Sequence, residues 1–444
     1  MSHIKKAFWS FLFVLSVVWW FTDTTAWAAL PNFIAWRAVL MQFSGVLAIG
    51  VMSVAMVLAV RPVLFEPVLG GLDKMYRLHK WLGISALVLS VSHWALSEAP
   101  KWLAGLGWIE RAARGPRPAL PDGVVQRFFI SQRGLAEGVG EWAFYAAVAL
   151  MALALVRRFP YRYFFKTHRL LAVAYLALVG HSVVLLKFDY WGGMLGPVMA
   201  VLMLSGTAAA LLVLFGRVAV RRQLVGEVTA IRRHDALQVM EVDIAFQGRW
   251  AGHASGQFAF VTFHEDEGAH PYTISSAWRG DGRITFIIKA LGDYTRTLAD
   301  RLKPDDLVKV EGPYGRFNFQ GRESRQIWVG AGIGITPFIA RMQALVKAPD
   351  GKTIDLFHTT AVYDAHALGL MARDANDAKV SLHVLWDERD GRLTAARIAE
   401  QVPGWRDADV WFCGPAGFGH ALRKDFLAMG LPAARFHQEL FEMR

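Results

Sequence analysis

Four histidines lie in two apolar stretches of this 444-residue chain, His79 and His93 in one, His168 and His181 in the other. Ionisable side chains at membrane depth are costly to keep, which makes them functional candidates. The 14 residues separating His79 from His93 turn an ideal helix by about 1400°, some 40° short of whole turns. Both rings therefore share one face, about 21 Å apart along the axis. The two stretches run in the same direction, so His79 and His168 share one level and His93 and His181 the other. Two imidazoles at one depth on neighbouring helices can ligate a planar iron macrocycle from both faces. The competing reading makes each an interfacial or packing histidine. The 13 residues between His168 and His181 leave an ideal helix about 140° out of phase. Either that helix is locally overwound, or the two macrocycles are approached from different faces. Tyr175, between the levels, is a relay aromatic or simply packing.

The second half carries a different set. In His270-Pro271-Tyr272-Thr273-Ile274-Ser275-Ser276 an aromatic is flanked by hydroxyls. Such a ring can stack on an isoalloxazine while hydroxyls bond its polar edge. Lys289-Ala290-Leu291-Gly292-Asp293-Tyr294-Thr295 puts a basic residue before a turn into a helix, whose N–H groups suit a pyrophosphate. Each short pattern is also an ordinary core Tyr or turn. Gly330-Ala331-Gly332-Ile333-Gly334-Ile335-Thr336-Pro337 follows an apolar strand and opens a helix. Glycines there let backbone approach a phosphate, and Pro337 fits a first helical turn. It is not the GxGxxG fingerprint, and a generic tight turn is the alternative. Cys413-Gly414-Pro415 ends another apolar strand. A lone Cys on a strand is usually a small hydrophobe, but the carboxyl end of such a strand is where α/β sheets bind ligands. The closing stretch Phe436–Arg444 includes Glu439 and Phe441, and an aromatic there could cover a flavin face.

Elements must hold these residues in place. Composition is 54% hydrophobic, with 17 Trp and only 19% charged residues, which argues against a disordered or purely soluble chain. A single cysteine excludes a disulfide framework, a thiolate-ligated cluster and a covalently attached CxxCH haem. Six stretches have the length of membrane spans, roughly 8–28, 34–60, 79–97, 138–156, 167–187 and 193–216. The net charge of +11 would ordinarily raise nucleic acid as a partner, yet residues 1–216 hold +10 of it, between the apolar stretches. Membrane topology explains this better, and no nucleic-acid partner is expected. On the N-terminal side 14 Lys/Arg accumulate against 7 or 8 opposite, despite Lys101 and five arginines in the loop around 98–137. The positive-inside bias puts the N-terminus and residues 217–444 in the cytoplasm. Lys5-Lys6, an apolar run and Ala26-Trp27-Ala28 also resemble a cleaved signal, although a retained helix is the favoured expectation. After Arg222, alternating strands at Gly226–Val242, Phe258–Phe263, Ile284–Lys289 and Leu307–Val310 predict an antiparallel β-barrel. From Gln326 the order strand, turn, helix, strand predicts a parallel α/β domain.

Taken together, these residues resemble the NADPH oxidase/ferric reductase family along nearly the whole chain. That resemblance implies a six-helix haem domain over 1–216, an FAD-binding β-barrel over 217–322 and an NAD(P)-binding α/β domain over 323–444. HPYTISS resembles the family's flavin motif, with Tyr272 in the aromatic position, and LGDYT its second flavin segment, with Lys289 where an Arg is common. GAGIGITPF and the CGP turn resemble its nicotinamide-binding segments. The resemblance implies that FAD is held by His270, Pro271, Tyr272, Thr273, Ser275, Lys289, Gly292, Asp293 and Thr295. NADPH or NADH is held by Gly330, Gly332, Gly334, Thr336, Pro337, Gly414 and Pro415. Two haems b have axial ligand pairs His79/His168 and His93/His181, and Cys413, Glu439, Phe441 and Arg37 are candidate catalytic residues.

The activity implied is transmembrane electron transfer from cytosolic NAD(P)H to an outer acceptor across a bacterial-type inner membrane. Dioxygen is the expected acceptor. A ferric chelate is the near alternative, and a haem subunit relaying electrons to a protein partner is a more distant one. Two departures bear on this. Ser97 stands four residues beyond His93, where superoxide-forming relatives commonly have a second His, and His358-Thr359-Thr360 lacks the Arg that often selects NADPH. Arg392 is an alternative partner for a 2′-phosphate. Neither an EF-hand loop nor a cysteine cluster is present, so calcium control and an added ferredoxin domain are not expected.

Overall fold

The structure is a computed structural model and describes residues 2–23, 30, 33–108, 121, 123–156 and 159–439. It divides into two compact units, one made of residues up to 70 with 74–218, the other chiefly of 219–443.

The first unit is helical: α1 Ser2–Thr22, α2 Phe33–Ala59, the short α3 Glu66–Leu69, α4 Leu72–Gly105, α5 Val124–Leu155, α6 Tyr161–Leu185, the short α7 Phe188–Gly192 and α8 Leu195–Leu214. Among the described residues six of these, α1, α2, α4, α5, α6 and α8, are long and apolar enough to cross a membrane. Helices suit that setting because each satisfies its own backbone hydrogen bonds. α2 is the most buried, and its Val39, Val46, Leu47 and Ile49 share a core with Leu15 and Trp19 of α1, Tyr175 of α6 and Met199 and Met203 of α8. α5 lies along α6 and α2 along α8, whereas α4 and α6 approach each other chiefly through side chains.

The helices outrun the apolar stretches. α1 starts earlier than expected and stops at Thr22, where the Tyr190 hydroxyl donates to buried Asp23 at 2.5 Å. The Ala26-Trp27-Ala28 signal-like site lies outside the described residues. Lys101 is part of α4, and Arg127 and Arg133 are on α5, so the expected basic loop is partly two helix extensions. Arg111, Arg114 and Arg117 lie outside the described residues. Polar sequence continues a helix readily once it leaves the apolar layer, because i,i+4 pairs such as Arg133–Glu137 support it.

The second unit begins with β1 Gln223–His234, β2 Val239–Phe246, β3 Phe258–Thr262, β4 His270–Thr273, β5 Arg283–Lys289, α9 Asp293–Arg301 and β6 Leu307–Tyr314. The single strand expected over Gly226–Val242 is a hairpin, turned by a 3-10 segment at Asp235–Leu237 and by Gln238 in the left-handed region (φ 51°). The six strands form one antiparallel sheet in the order β4-β3-β6-β1-β2-β5. One bridge, Ile274 to Phe286, ties the segment after β4 to β5 at the opposite edge. Val228, Val242, Ile244, Val261, Phe286 and Val310 fill its interior.

The chain then alternates β7 Arg325–Ala331, α10 Thr336–Lys347, β8 Thr353–Thr360, α11 Ala365–Asp377, β9 Ser381–Trp386, α12 Asp387–Asp390, α13 Ala395–Gln401, β10 Ala408–Cys413, α14 Ala416–Ala428 and β11 Phe436–Gln438. The sheet is parallel, in the order β11-β10-β7-β8-β9. Strand order reverses between β7 and β10, which is where open α/β sheets leave a ligand crevice at the carboxyl ends.

Candidate functional site

α4 and α6 bring the four membrane-level histidines together in two pairs. The ring centroids of His79 and His168 are 5.9 Å apart and those of His93 and His181 6.4 Å, with interplanar angles of 65° and 79°. Two imidazoles bonded to one metal at about 2.1 Å each would have centroids roughly 6.3 Å apart. Both pairs therefore have the separation that one iron between them requires.

The tautomers follow from the partners. His79 Nδ1 faces the Ala55 carbonyl at 2.9 Å and His181 Nδ1 the Ala136 carbonyl at 2.8 Å. A carbonyl only accepts, so each Nδ1 carries the proton and Nε2 keeps the lone pair a metal needs. His93 Nδ1 is 3.0 Å from Ser44 Oγ, whose own proton goes to the Met41 carbonyl at 3.2 Å, so the same tautomer holds. His168 differs: its Nδ1 is buried without a hydrogen-bond partner among the described residues, and its ring stacks on Phe164 at 5.0 Å. α6 is regular α-helix through both its histidines. The 13-residue phase difference is therefore met by rings that leave the helix in different directions.

Sequence reasoning missed the small residues around these rings. A Cβ on Gly140 of α5 would lie 1.9 Å from His181 Nδ1, and one on Gly45 of α2 would lie 3.2 Å from the His93 ring. The available signal was a Gly or Ser on a neighbouring span at a histidine's depth. Tyr175 is buried with its hydroxyl 2.9 Å from Ser53 Oγ, in the core shared with α8.

Arg37 has a structural task. Pro100 lies inside α4 and has no N–H to give the carbonyl of Leu96. Arg37 Nε donates to that carbonyl at 2.6 Å, and its Nη2 to the Ser97 carbonyl at 3.2 Å. The guanidinium thus satisfies two carbonyls of α4 one turn beyond His93 with two of its five N–H donors.

In the second unit, the Gly-rich turn and the CGP turn meet at the strand-order reversal. β7 and β10 are adjacent and pair through Gly330 and Cys413. A Cβ on Gly334 would lie 2.2 Å from the Cys413 carbonyl oxygen, so only glycine lets the two turns close on each other. Thr336 and Pro337 start α10 behind them, and Gly332 has φ 55°. Gly414 and Pro415 lead into α14. Cys413 is fully buried, and burial, with the Glu439 carboxylate next, pushes its thiol well above the usual range. It stays protonated near neutrality and is no thiolate nucleophile. Glu439 is buried near Gly315, and Phe441 lies outside the described residues. His358, at the end of β8, donates Nδ1–H to the Gly330 carbonyl at 3.0 Å, and burial lowers its pKa to about 4. Arg392 is exposed and forms no ion pair among the described residues.

The flavin-motif stretch is itself β4 and its continuation. Tyr272 is half-buried, its ring 5.8 Å from Phe263 and 6.2 Å from Phe286. The hydroxyl of Ser275 is committed inside the fold, accepting from Ile287 N and donating to the Thr273 carbonyl. The His270 ring stacks on Tyr294 at 4.8 Å, and His264 Nδ1 is 2.8 Å from the Tyr294 hydroxyl. Burial lowers the pKa of His270 and raises that of Tyr294. Lys289 ends β5, Gly292 caps α9, and Asp293 is its first residue. Thr295 Oγ1 accepts from Leu291 N and Gly292 N, which pre-forms the helix start.

The comparisons with known proteins fit this layout. Residues 44–179 match the family model described as the ferric reductase like transmembrane component, and residues 234–318 match that of an FAD-binding domain. An NADPH oxidoreductase of Mycobacterium tuberculosis is 30% identical over 179 residues, covering 39% of this chain and 47% of that protein. A flavohemoprotein of Bordetella pertussis is 27% identical over 190 residues, covering 38% and 47%. The chain spans about half the length of the curated relatives it matches. Among solved structures, the flavohem-like FAD/NAD-binding domain of a nitric oxide dioxygenase from Vibrio cholerae is 23% identical with a TM-score of 0.42, covering 49% of this chain and 97% of that one. This integral membrane protein joins a ferric-reductase-like transmembrane domain to an FAD-binding reductase module, the combination that matches the NADPH oxidase/ferric reductase family.

Proposed function

We propose that this protein is an NAD(P)H-dependent oxidoreductase that moves electrons from cytosolic NAD(P)H through FAD and two b-type haems to an acceptor outside, dioxygen being the favoured one. The observation that carries the reading is the pair of facing imidazoles at each of two levels, 5.9 and 6.4 Å between centroids, three of the four with Nε2 left free by the Nδ1 bond. When bound, FAD supplies the step from a two-electron hydride to the single electrons a haem accepts. His79 with His168, and His93 with His181, would hold the two irons. The donor set fits, since imidazole is a usual haem ligand and the lone cysteine is buried elsewhere.

The proposed division is a haem domain over 1–216, an FAD domain over 217–322 and an NAD(P) domain over 323–444. In the last, Gly330, Gly332, Gly334, Thr336 and Pro337 would receive the pyrophosphate at the start of α10. Gly414 and Pro415 with the Cys413 thiol would place the nicotinamide, and Glu439 would act beside it. Arg392, exposed and without an ion pair among the described residues, would take a 2′-phosphate, which favours NADPH. Tyr272, His270, Pro271, Thr273, Ser275, Lys289, Gly292, Asp293 and Thr295 form the FAD site. The Lys/Arg bias supports a bacterial-type inner membrane with residues 217–444 cytoplasmic. A ferric chelate is the second reading, because basic residues such as Arg133 flank the far end of α5.

The test is anaerobic reduction of the purified protein by NADPH or NADH, followed by admission of oxygen or ferric citrate. The expected result is a bis-imidazole haem spectrum with about two haems per chain, and faster reoxidation by oxygen with superoxide formed. In His93→Ala, flavin reduction should survive while external acceptors are no longer reduced. A haem-free protein would overturn the wiring.

A further inference from the structure

At the level of the outer histidine pair, a cavity of about 380 Å³ opens between α2, α5 and the end of α6. That volume lies within the usual range of small-molecule sites, whereas a diatomic acceptor of roughly the size of water needs about 30 Å³. The walls are largely aromatic and aliphatic, with Phe129, Ile130, Phe188 and Trp191 among them. Most polar groups at its edge are already engaged. Gln42 clamps the end of α6, donating to the Leu185 carbonyl at 3.1 Å and accepting from Lys187 N at 3.0 Å. Asp23 is bonded to Tyr190, and Arg133 pairs with Glu137 at 2.9 Å. The Lys187 ammonium lies 5.4 Å over the Tyr190 ring and has no carboxylate partner among the described residues. The cavity therefore offers largely apolar walls, the Gln126 amide, and in Lys187 a cation with no carboxylate partner among the described residues, Arg133 being paired through Nε.

Its position matters as much. Val184, in its wall, follows His181 by three residues, about 4.5 Å along the helix. Arg133 precedes by three residues Ala136, whose carbonyl fixes His181. A ligand here would sit directly beyond the outer pair.

We infer that this cavity binds a quinone headgroup, with Lys187 donating to a ring carbonyl oxygen. A planar apolar ring suits the walls, and an oxygen that gains negative charge on reduction suits a lone ammonium. A polyanionic iron chelate fits worse, since it would face the aromatic walls and Asp23. As an acceptor the quinone balances simply: NAD(P)H gives up two electrons as a hydride, whose proton is released on the flavin side, and the quinone takes up those two electrons with two protons from the outer water to become the quinol. The redox part of this inference rests on the wiring proposed above; the binding part does not.

The experiment uses the full chain in detergent with an azido-substituted naphthoquinone as photolabel and menadione as competitor and acceptor. The expected label falls within residues 126–133 and 184–191, is displaced by menadione and weakens roughly tenfold in affinity in Lys187→Met and in the cavity-filling Ile130→Trp. Label elsewhere, or label in these segments that neither menadione nor the cavity-filling change reduces, would overturn the site. The labelling needs only the unmodified protein, so a variant that fails to fold does not blunt it. Bleaching of flavin and haem absorbance by NADPH before quinone is added tests the wiring separately. If bleaching occurs and menadione then fails to reoxidise the haem, the acceptor role fails while the wiring stands. If bleaching does not occur, the wiring fails, and labelling alone decides the site.

Discussion

At the level nearer the N-terminus, His79 is fixed by the Ala55 carbonyl while the opposing His168 has no partner for its Nδ1 among the described residues and leans on Phe164. At the far level both rings are fixed, His93 by Ser44 and His181 by the Ala136 carbonyl, and Gly45 and Gly140 leave them room. Partners on a ligand's second nitrogen set its orientation and basicity. The far level is thus the more rigidly prepared of the two, as suits the level that would face a variable acceptor. Another imidazole, the buried His358, makes the same Nδ1–H bond to a carbonyl as His79 and His181. It stacks on no other histidine among the described residues. The carbonyl bond alone therefore does not set the two membrane levels apart; a second imidazole across a metal-sized gap does, and the proposed haem ligation rests on that.

The sharpest way to break the contrast is Gly140→Ala. The new Cβ would occupy the space of His181 Nδ1, only 1.9 Å away, so the ring must leave its carbonyl and its partner. Haem bound per chain is expected to fall from about two to about one, with the near level retained. Gly138→Ala is the control, since nothing lies within 4 Å of its Cβ position. Pyridine haemochrome content separates them. Equal haem content in the two variants would mean that α5 does not shape the far level.

The histidine levels were legible in the sequence because a 14-residue spacing in a helix fixes both depth and face, and depth survives whatever the helices pack against. Which side each α6 ring leaves by was not legible, because it depends on the neighbour that receives it, α5 for His181 and Phe164 for His168. The Gly-rich and CGP turns were legible as strand ends, but their interlock through Gly334 and Cys413 depends on β7 and β10 being adjacent, a fact of topology. Arg37 shows the opposite case: its position suggested acceptor chemistry, yet its Nε also meets the carbonyl that Pro100 leaves bare, and both residues were in plain view. The flavin motif was read as following a strand, whereas its polar residues complete one: Ser275 and Ser276 bond β5. Hydroxyls that close a sheet and hydroxyls that bind a ligand have the same letters.

A gentler change sharpens the comparison. Ser44→Ala removes the hydroxyl acceptor from His93 Nδ1 and leaves that ring the Met41 backbone alone, a step towards His168. Loss of such a partner typically costs roughly tenfold in metal affinity. The far haem should wash out more readily, and its midpoint potential should rise because a less basic imidazole favours the ferric state less. Redox titration resolves the two haems; an unchanged far potential would mean that Ser44 only fills space.

The smallest effect on the two histidine levels belongs to His358, which faces no second imidazole among the described residues. Its folded pKa of about 4, set by burial, lies below the ordinary value near 6.5. Between those two pH values the unfolded chain binds a proton that the folded chain does not, so stability falls as pH drops from about 6.5 to 4 and is level above that. The full contribution is on the order of 3 kcal/mol. His253 and His270, also lowered by burial, add to the same acid slope, so the informative quantity is a difference. His358→Gln, which keeps a donor for the Gly330 carbonyl, should flatten the pH dependence of thermal flavin release between pH 4 and 6.5 relative to the unmodified chain. It should leave haem content alone. If the slope is unchanged, His358 is already protonated in the folded state, and its bond to Gly330 is that of a cation rather than of the fixed neutral tautomer shared with the haem-level rings.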